Sequence, residues 1–153
     1  MGVSVNHRSF VIERQLPGSL GHAFRFWSDH GLKRRWTSCH PTWTVLDDHF
    51  DFRVDGSEAT SWRLPDGAHW SMLTHYLEIA PRQRIVYAYT MRIDERPISS
   101  SLVTVEFTPR GEATQMTFTE QAVFADLRDG DVRETGTAST FDRLAEEMVA
   151  LPA

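Results

Sequence analysis

The sequence has a single cysteine, Cys39, among its 153 residues. One cysteine cannot form an internal disulfide and has no second thiol with which to share a metal ion, a usage that is typical of a reducing compartment. No apolar run reaches the roughly 18 residues of a membrane span, and the N-terminus lacks the basic and then apolar layout of a signal peptide. We therefore expect a cytoplasmic protein with no membrane span, in which Cys39 is a weak candidate nucleophile.

Charge and motifs exclude further classes of function. The 16 Lys and Arg residues against 21 Asp and Glu residues give a net charge of -5, which leaves no basic footprint for nucleic acid. The seven histidines show neither H-x-x-x-H nor H-x-H spacing, and the chain has no C-x-x-C, no G-x-S-x-G and no glycine-rich phosphate loop. The sequence therefore predicts no metal, no cofactor and no nucleic-acid partner.

One long helix is predicted near the C-terminus, over residues 129–149. Its large apolar residues Phe141, Leu144 and Met148 recur at steps of three and four, so they lie on one stripe of a helix. The preceding turns are built from small residues, Gly136, Thr137, Ala138 and Ser139. These residues predict either a close approach to a sheet or a space beside it, because glycine in mid-helix costs about 1 kcal/mol relative to alanine.

The rest of the chain alternates between short helical and strand patterns. Residues 6–16 read as a strand, residues 19–28 as an amphipathic helix capped by Ser19, and residues 32–36 as one further helical turn with a solvated basic triplet. From residue 43 to residue 121 the period is two, and turn signals such as Leu64-Pro65-Asp66-Gly67 separate the strands. A chain of this length is the usual size of one domain, so we expect a single α+β domain over residues 1–153. In it, a curved antiparallel sheet of six or seven strands wraps the C-terminal helix.

A set of motifs, in their order and spacing, carries a family resemblance: PGSLGHAFRFWSD (17–29), LKRRW (32–36), FRVDG (52–56), LPDG (64–67), EIAPRQRIVY (78–87) and TFTEQ (117–121). The sequence resembles the SRPBCC superfamily, and within it the bacterial proteins grouped with the C-terminal domain of the activator of the 90-kDa heat-shock-protein ATPase. The resemblance covers nearly the whole chain. It implies a START-like helix-grip fold, which usually encloses a hydrophobic ligand cavity.

Strand parity suggests which residues face that cavity. Met116, Phe118 and Glu120 share one side of the last strand, so a carboxylate is expected among the inward residues, where it needs a partner or a raised pKa. His75 shares parity with Leu73 and is expected to face inward as well. The predicted lining is Trp36, Phe52, His75, Tyr87, Tyr89, Phe118, Glu120, Gly136 and Phe141. The alternative is that Glu120 is paired with an arginine at a strand end and that His75 is a satisfied core or rim histidine.

Three functions from different classes remain open. The first is a binding or carrier domain for a small hydrophobic molecule. The second is a co-chaperone-like stress-response module that contacts a chaperone. The third is a polyketide cyclase-like enzyme, in which Glu120 and His75 would be the catalytic acid/base pair. A monomer and a homodimer are both compatible with the sequence.

Overall fold

An antiparallel sheet and a long C-terminal helix form most of the computed structural model, which describes residues 5–38, 40–126 and 129–153. Cys39 lies outside the described residues, so its role stays a prediction. In chain order the elements are β1 (Asn6–Leu16), α1 (Leu20–Ser28), α2 (His30–Arg34), β2 (Thr44–Phe50), β3 (Ser57–Arg63), β4 (His69–Ala80), β5 (Arg84–Ile93), β6 (Arg96–Arg110), β7 (Ala113–Phe124) and α3 (Asp129–Ala150).

The seven strands form one sheet in the order β1-β7-β6-β5-β4-β3-β2. Strands β2 to β7 are a meander joined by short turns, and β1 crosses over to pair with β7, with Asn6 opposite Phe124 and Leu16 opposite Thr114. The two helices that follow β1 make this crossover. The predicted fold class is confirmed: it is an α+β helix-grip architecture with a curved antiparallel sheet of seven strands and a long C-terminal helix.

The two short helices follow the local rules that the sequence indicated. The Ser19 side chain accepts a hydrogen bond from the His22 backbone N–H at 3.2 Å and so caps α1. Phe26 and Trp27 on the inner face of α1 are buried. Asp29 then ends α1 and caps α2, because its side chain accepts from the Leu32 N–H at 3.0 Å. These two helices thereby close one end of the sheet.

Helix α3 lies on the inner face of the sheet through the predicted apolar stripe. Phe141, Leu144 and Met148 are all buried in the main hydrophobic cluster. Leu151 follows the end of the helix and is 38% exposed, so it adds little to this contact. No helix in the described part of the chain is both long enough and apolar enough to cross a membrane.

Strand β4 corrects one sequence prediction. Thr74 and Tyr76 face the core, whereas Leu73, His75 and Leu77 are exposed on the outer face. The cause is a bulge in the pairing with β5 just after Tyr76. His75 does share a face with Leu73, but that face is the outer one. Beyond the bulge the alternation reverses, and Ile79 packs against the core.

The β2–β3 region also differs from the prediction. Strand β2 runs through Asp47 and Asp48, and its register with β3 shifts between Val45 and Asp47. The expected strand around Phe52 is instead a turn that links β2 to β3, in which Asp55 has a φ of 66°. Phe52 still packs against the core from this turn.

Candidate functional site

A cavity of about 650 Å³ lies between α3, the segment after α2 and the inner face of strands β3 to β7. Its volume falls within the roughly 300–1,000 Å³ of small-molecule sites. All five tryptophans of the chain contribute to its lining: Trp27, Trp36, Trp43, Trp62 and Trp70. The tryptophans give the cavity a large aromatic surface, which lies beside polar and charged side chains that also line it.

Rings from separate elements meet at the inner end of the cavity. Phe118 of β7 packs edge-on against Phe141 of α3, with ring centroids 4.9 Å apart. Trp36 lies 6.1 Å from the same Phe141 ring, and Tyr87 lies 6.1 Å from Tyr89 on β5. The structure thus brings together six of the nine residues predicted to line a cavity, counting Glu120 beside these rings. Their contact with a ligand stays a prediction.

The helix wall is the thin half of α3. Gly136, Thr137, Ser139 and Thr140 line the cavity, and a Cβ placed on Gly136 would meet no atom within 4 Å. Gly136 is therefore a seventh predicted residue that lies at the cavity, as part of its wall and not at a point of close approach. Ala138 differs from its neighbours: it faces β1, where its carbonyl accepts a weak hydrogen bond from Arg14 at 3.5 Å.

The segment after α2 forms the rim of the cavity. His40 is exposed and stacks on Trp43 with ring centroids 4.7 Å apart, while Trp36 is buried and donates its indole N–H to the Phe26 carbonyl at 2.9 Å. Trp43 in turn lies 5.5 Å from Trp70. The described lining residues of this segment therefore range from the buried Trp36 to the exposed His40.

A polar cluster centred on Glu120 interrupts the aromatic lining. Glu120 is fully buried in β7, and its Oε2 accepts hydrogen bonds from the Tyr89 hydroxyl and the Ser101 hydroxyl, each at 2.7 Å, and from Arg133 at 3.1 Å. Arg133 also donates to Tyr89 and to Ser99, each at 2.7 Å. The other carboxylate oxygen, Oε1, is buried and has no hydrogen-bond partner among the described residues.

The hydrogen-bond donors of this cluster fix the position of the Glu120 carboxylate. Arg133 on α3 pairs with Glu120, as the alternative had an arginine do, but Glu120 lies within β7 and not at the end of a strand. Burial, followed by the nearby charge of Glu120, raises the pKa of Tyr89, so its hydroxyl remains a donor across the ordinary pH range.

Two predicted lining residues lie away from the cavity. His75 is on the outer face of the sheet, where its ring nitrogen lies 3.5 Å from a carboxylate oxygen of Asp55. The predicted acid/base pair of Glu120 and His75 is therefore not assembled. Phe52 packs among the rings of Phe24, Phe50 and Tyr76 instead of lining the cavity.

A second polar cluster, which the sequence reasoning missed, borders the cavity near α2. Lys33 is buried, and its ammonium donates to Glu58 at 2.6 Å and to the Tyr76 hydroxyl at 3.2 Å. Arg34 donates to the second oxygen of Glu58 at 2.7 Å and to Asp48 at 2.7 Å. The prediction that the basic triplet is solvated is therefore wrong for Lys33 and Arg34.

The charges of this cluster set its titration. Burial would raise the pKa of Glu58, but the positive charges of Lys33 and Arg34 outweigh it and lower that pKa to about 2. Burial lowers the pKa of Lys33 despite the attraction of Glu58. The available signal was the period-two pattern of Glu58, Thr60 and Trp62, which are all buried in β3.

An antiparallel sheet that wraps a C-terminal helix and leaves a cavity between them defines a helix-grip protein of the SRPBCC superfamily. Residues 19–148 match the family described as "Activator of Hsp90 ATPase homolog 1-like protein". The chain belongs to this family. No curated protein sequence matches it significantly.

Solved structures of bacterial proteins share the fold. A protein from Rhizobium leguminosarum is 40% identical with a TM-score of 0.91, over 96% of this chain and 97% of that one. A protein from Rhizobium loti is 38% identical with a TM-score of 0.88, over 94% of this chain and 99% of that one. An AHSA1-like protein from Aeromonas hydrophila is 16% identical with a TM-score of 0.70, over 94% and 93% of the two chains, and shows likeness of fold alone.

Proposed function

We propose that this protein binds a small, mostly apolar molecule in the cavity between the sheet and α3. The observation that carries the proposal is the convergence of all five tryptophans on one cavity of about 650 Å³. Apolar surface removed from water stabilises a complex by about 25 cal/mol per Å², so a ligand that covers several of these rings gains affinity from burial alone.

The charges around the cavity favour a ligand of low charge. Lys33 and Arg34 are bonded to Glu58, and Arg133 is bonded to Glu120. A charged ligand would have to break one of these pairs and leave a buried charge without its partner, which is strongly unfavourable. A neutral ligand leaves all of them intact.

Intrinsic fluorescence tests the proposal, because every tryptophan of the chain lies at the cavity. We expect a neutral apolar probe such as Nile red to change the tryptophan emission and to gain fluorescence itself, in a saturable manner. The control is His75→Ala, a change on the outer face that should leave the titration unaltered. Absence of saturable binding by any neutral apolar probe would contradict the proposal.

A second candidate is a chaperone contact, in keeping with the family. The observation that favours it is exposed apolar surface on the outer face of the sheet, where Leu73, Leu77 and Leu102 are 56%, 45% and 39% exposed. The test is calorimetric titration with a purified bacterial homologue of the heat-shock protein. Leu73→Ser with Leu102→Ser should weaken such binding, and unchanged affinity would exclude this face as the contact.

The acid/base reaction is not favoured by the geometry. The imidazole proposed as the partner of Glu120 lies on the opposite face of the sheet, 3.5 Å from a carboxylate oxygen of Asp55. The groups that do contact Glu120 are two hydroxyls and a guanidinium, which hold the carboxylate in place.

A further inference from the structure

We infer that the ligand is a planar aromatic molecule with a hydroxyl group, and that this hydroxyl donates a hydrogen bond to Glu120 Oε1. The inference rests on the proposed function, since it names the chemical class that the same cavity would take. Two independent features carry it, namely the arrangement of the indole rings and the unpartnered oxygen of a buried carboxylate.

The indole rings favour a flat ligand over an aliphatic chain. Trp43 meets Trp62 and Trp70 at interplanar angles of 63° and 52°, so its ring is inclined to both and not stacked face to face on either. Tyr87 and Tyr89 on the sheet wall are likewise inclined, at 44°. A planar ring can meet such a wall by edge-to-face and offset contacts, which add to the attraction of area burial, whereas an alkyl chain gains from burial only.

The carboxylate of Glu120 indicates that the ligand carries a hydrogen-bond donor. Its Oε2 accepts three hydrogen bonds, whereas its buried Oε1 accepts none from the described residues. Buried polar atoms without partners are rare and unfavourable, so a ligand that donates to Oε1 removes a cost that the free protein carries. The oxygen is covered by neighbouring atoms, so the proposed contact requires a lining side chain to change rotamer when the ligand enters.

The charge of the donor follows from the neighbours of Glu120. A second carboxylate would bring a like charge beside Glu120, and an ammonium would bring a like charge beside Arg133, which lies 3.1 Å from Oε2. A hydroxyl donates without adding charge. A phenol or a similarly hydroxylated ring system would therefore make aromatic contacts with the indole rings and donate a hydrogen bond to Glu120 Oε1.

The substitution Glu120→Gln should change the ligand preference of the protein, which would not be expected if Glu120 had only a structural role. The three donors around Oε2 would hold the amide oxygen in that place, because an amide NH₂ cannot accept their hydrogen bonds. The amide NH₂ would then occupy the position of Oε1 and turn an acceptor into a donor. The variant should therefore prefer a ligand with an acceptor in place of the hydroxyl.

The experiment compares naphthol with its methyl ether, by tryptophan fluorescence titration of the wild type and of Glu120→Gln. We expect the wild type to bind naphthol about tenfold or more tightly than the ether, as for a hydrogen bond to a charged group, and we expect Glu120→Gln to lose or reverse that preference. The wild-type comparison holds even if the variant does not fold. Thermal melting followed by circular dichroism checks the folding of the variant.

Distinct outcomes separate this inference from the proposed function. Equal affinities of the wild type for naphthol and the ether, or an unchanged preference in a folded Glu120→Gln, would overturn the hydroxyl contact. Binding of a long-chain aliphatic alcohol with no binding of either naphthalene would overturn the aromatic class while leaving a binding cavity. Failure of every probe, Nile red included, would overturn the proposed function itself.

Discussion

Filling the cavity from its helix wall is the perturbation that the structure defines best. A Cβ at Gly136 would meet no atom within 4 Å, and Gly136 lies inside α3 on the cavity side. Gly136 is exposed to solvent where α3 borders the cavity, so Gly136→Phe should place a ring at the opening of the cavity, whereas the matched control Gly136→Ala adds one methyl group. Ala138→Phe, which the sequence alone would suggest, points toward β1 instead and is not an equivalent change.

The stability of these variants can be worked out from helix propensity. Replacing glycine by alanine in a helix interior stabilises by about 1 kcal/mol, which corresponds to a rise in Tm of about 2–4 °C for a chain of this size. Phenylalanine has a lower propensity than alanine and should gain about half of that. A ring forced into a filled core would instead cost ~1–3 kcal/mol. We therefore expect Gly136→Phe to melt no lower than the wild type.

Binding of Nile red measures whether each Gly136 variant still has an open cavity. We expect Gly136→Ala to retain wild-type binding and Gly136→Phe to lose most of it, since the ring takes up space that the dye needs. Two results would refute the reasoning: unchanged dye binding by Gly136→Phe, or a Tm of that variant several degrees below the wild type.

Three further predictions concern stability. The folded-state pKa of Glu58 is lowered to about 2 from an ordinary 4.5, so its ion pairs stabilise the fold fully above pH 4.5 and are lost as the pH falls toward 2. The Tm of Glu58→Gln should therefore fall less over that range than the Tm of the wild type. An equal fall in the two Tm values would contradict this. In denaturant titrations at neutral pH, Lys33→Met should lower the free energy of unfolding by about 3 kcal/mol, because Glu58 loses a buried partner. The exposed Arg35→Met should lower it by ~1 kcal/mol or less, and equal losses of stability would mean that Lys33 lies in solvent. Leu144→Ala should cost ~2–5 kcal/mol and Val149→Ala, on the exposed face of the same helix, less than ~1 kcal/mol; similar values would mean that α3 packs through a different face.

Elements with a strong local signal were predictable from the sequence. The strand β1 ends where Pro17-Gly18 stops it, Ser19 caps α1, and the steps of three and four from Phe141 to Met148 identify the buried face of α3. In each case a short-range pattern and the tertiary contact agree, so the period alone is sufficient.

Features that depend on a strand partner were not predictable. The bulge after Tyr76 is a property of the pairing between β4 and β5, and it placed His75 on the opposite face from the one that parity suggested. Lys33 is buried only because Glu58, which is distant in sequence, supplies the opposite charge. A basic triplet on a short helix gives no sign of such a partner.

The inward orientation of Glu120 lies between these cases. The alternation of Met116, Phe118 and Glu120 was sufficient to place the carboxylate inside, because β7 is regularly paired on both sides. Its partner Arg133 lies on α3. The sequence does not show which face of the first turns of this helix points toward the sheet, because the apolar stripe there is thin.

Native mass spectrometry of freshly purified protein tests the central claim, that the cavity between the sheet and α3 holds a small apolar molecule. We expect the wild type and Gly136→Ala to carry a non-covalent adduct that solvent extraction releases, or to take up a neutral aromatic probe with a stoichiometry of one. Gly136→Phe should show neither. Bare wild-type protein that takes up no probe, or an adduct retained in full by Gly136→Phe, would contradict the account.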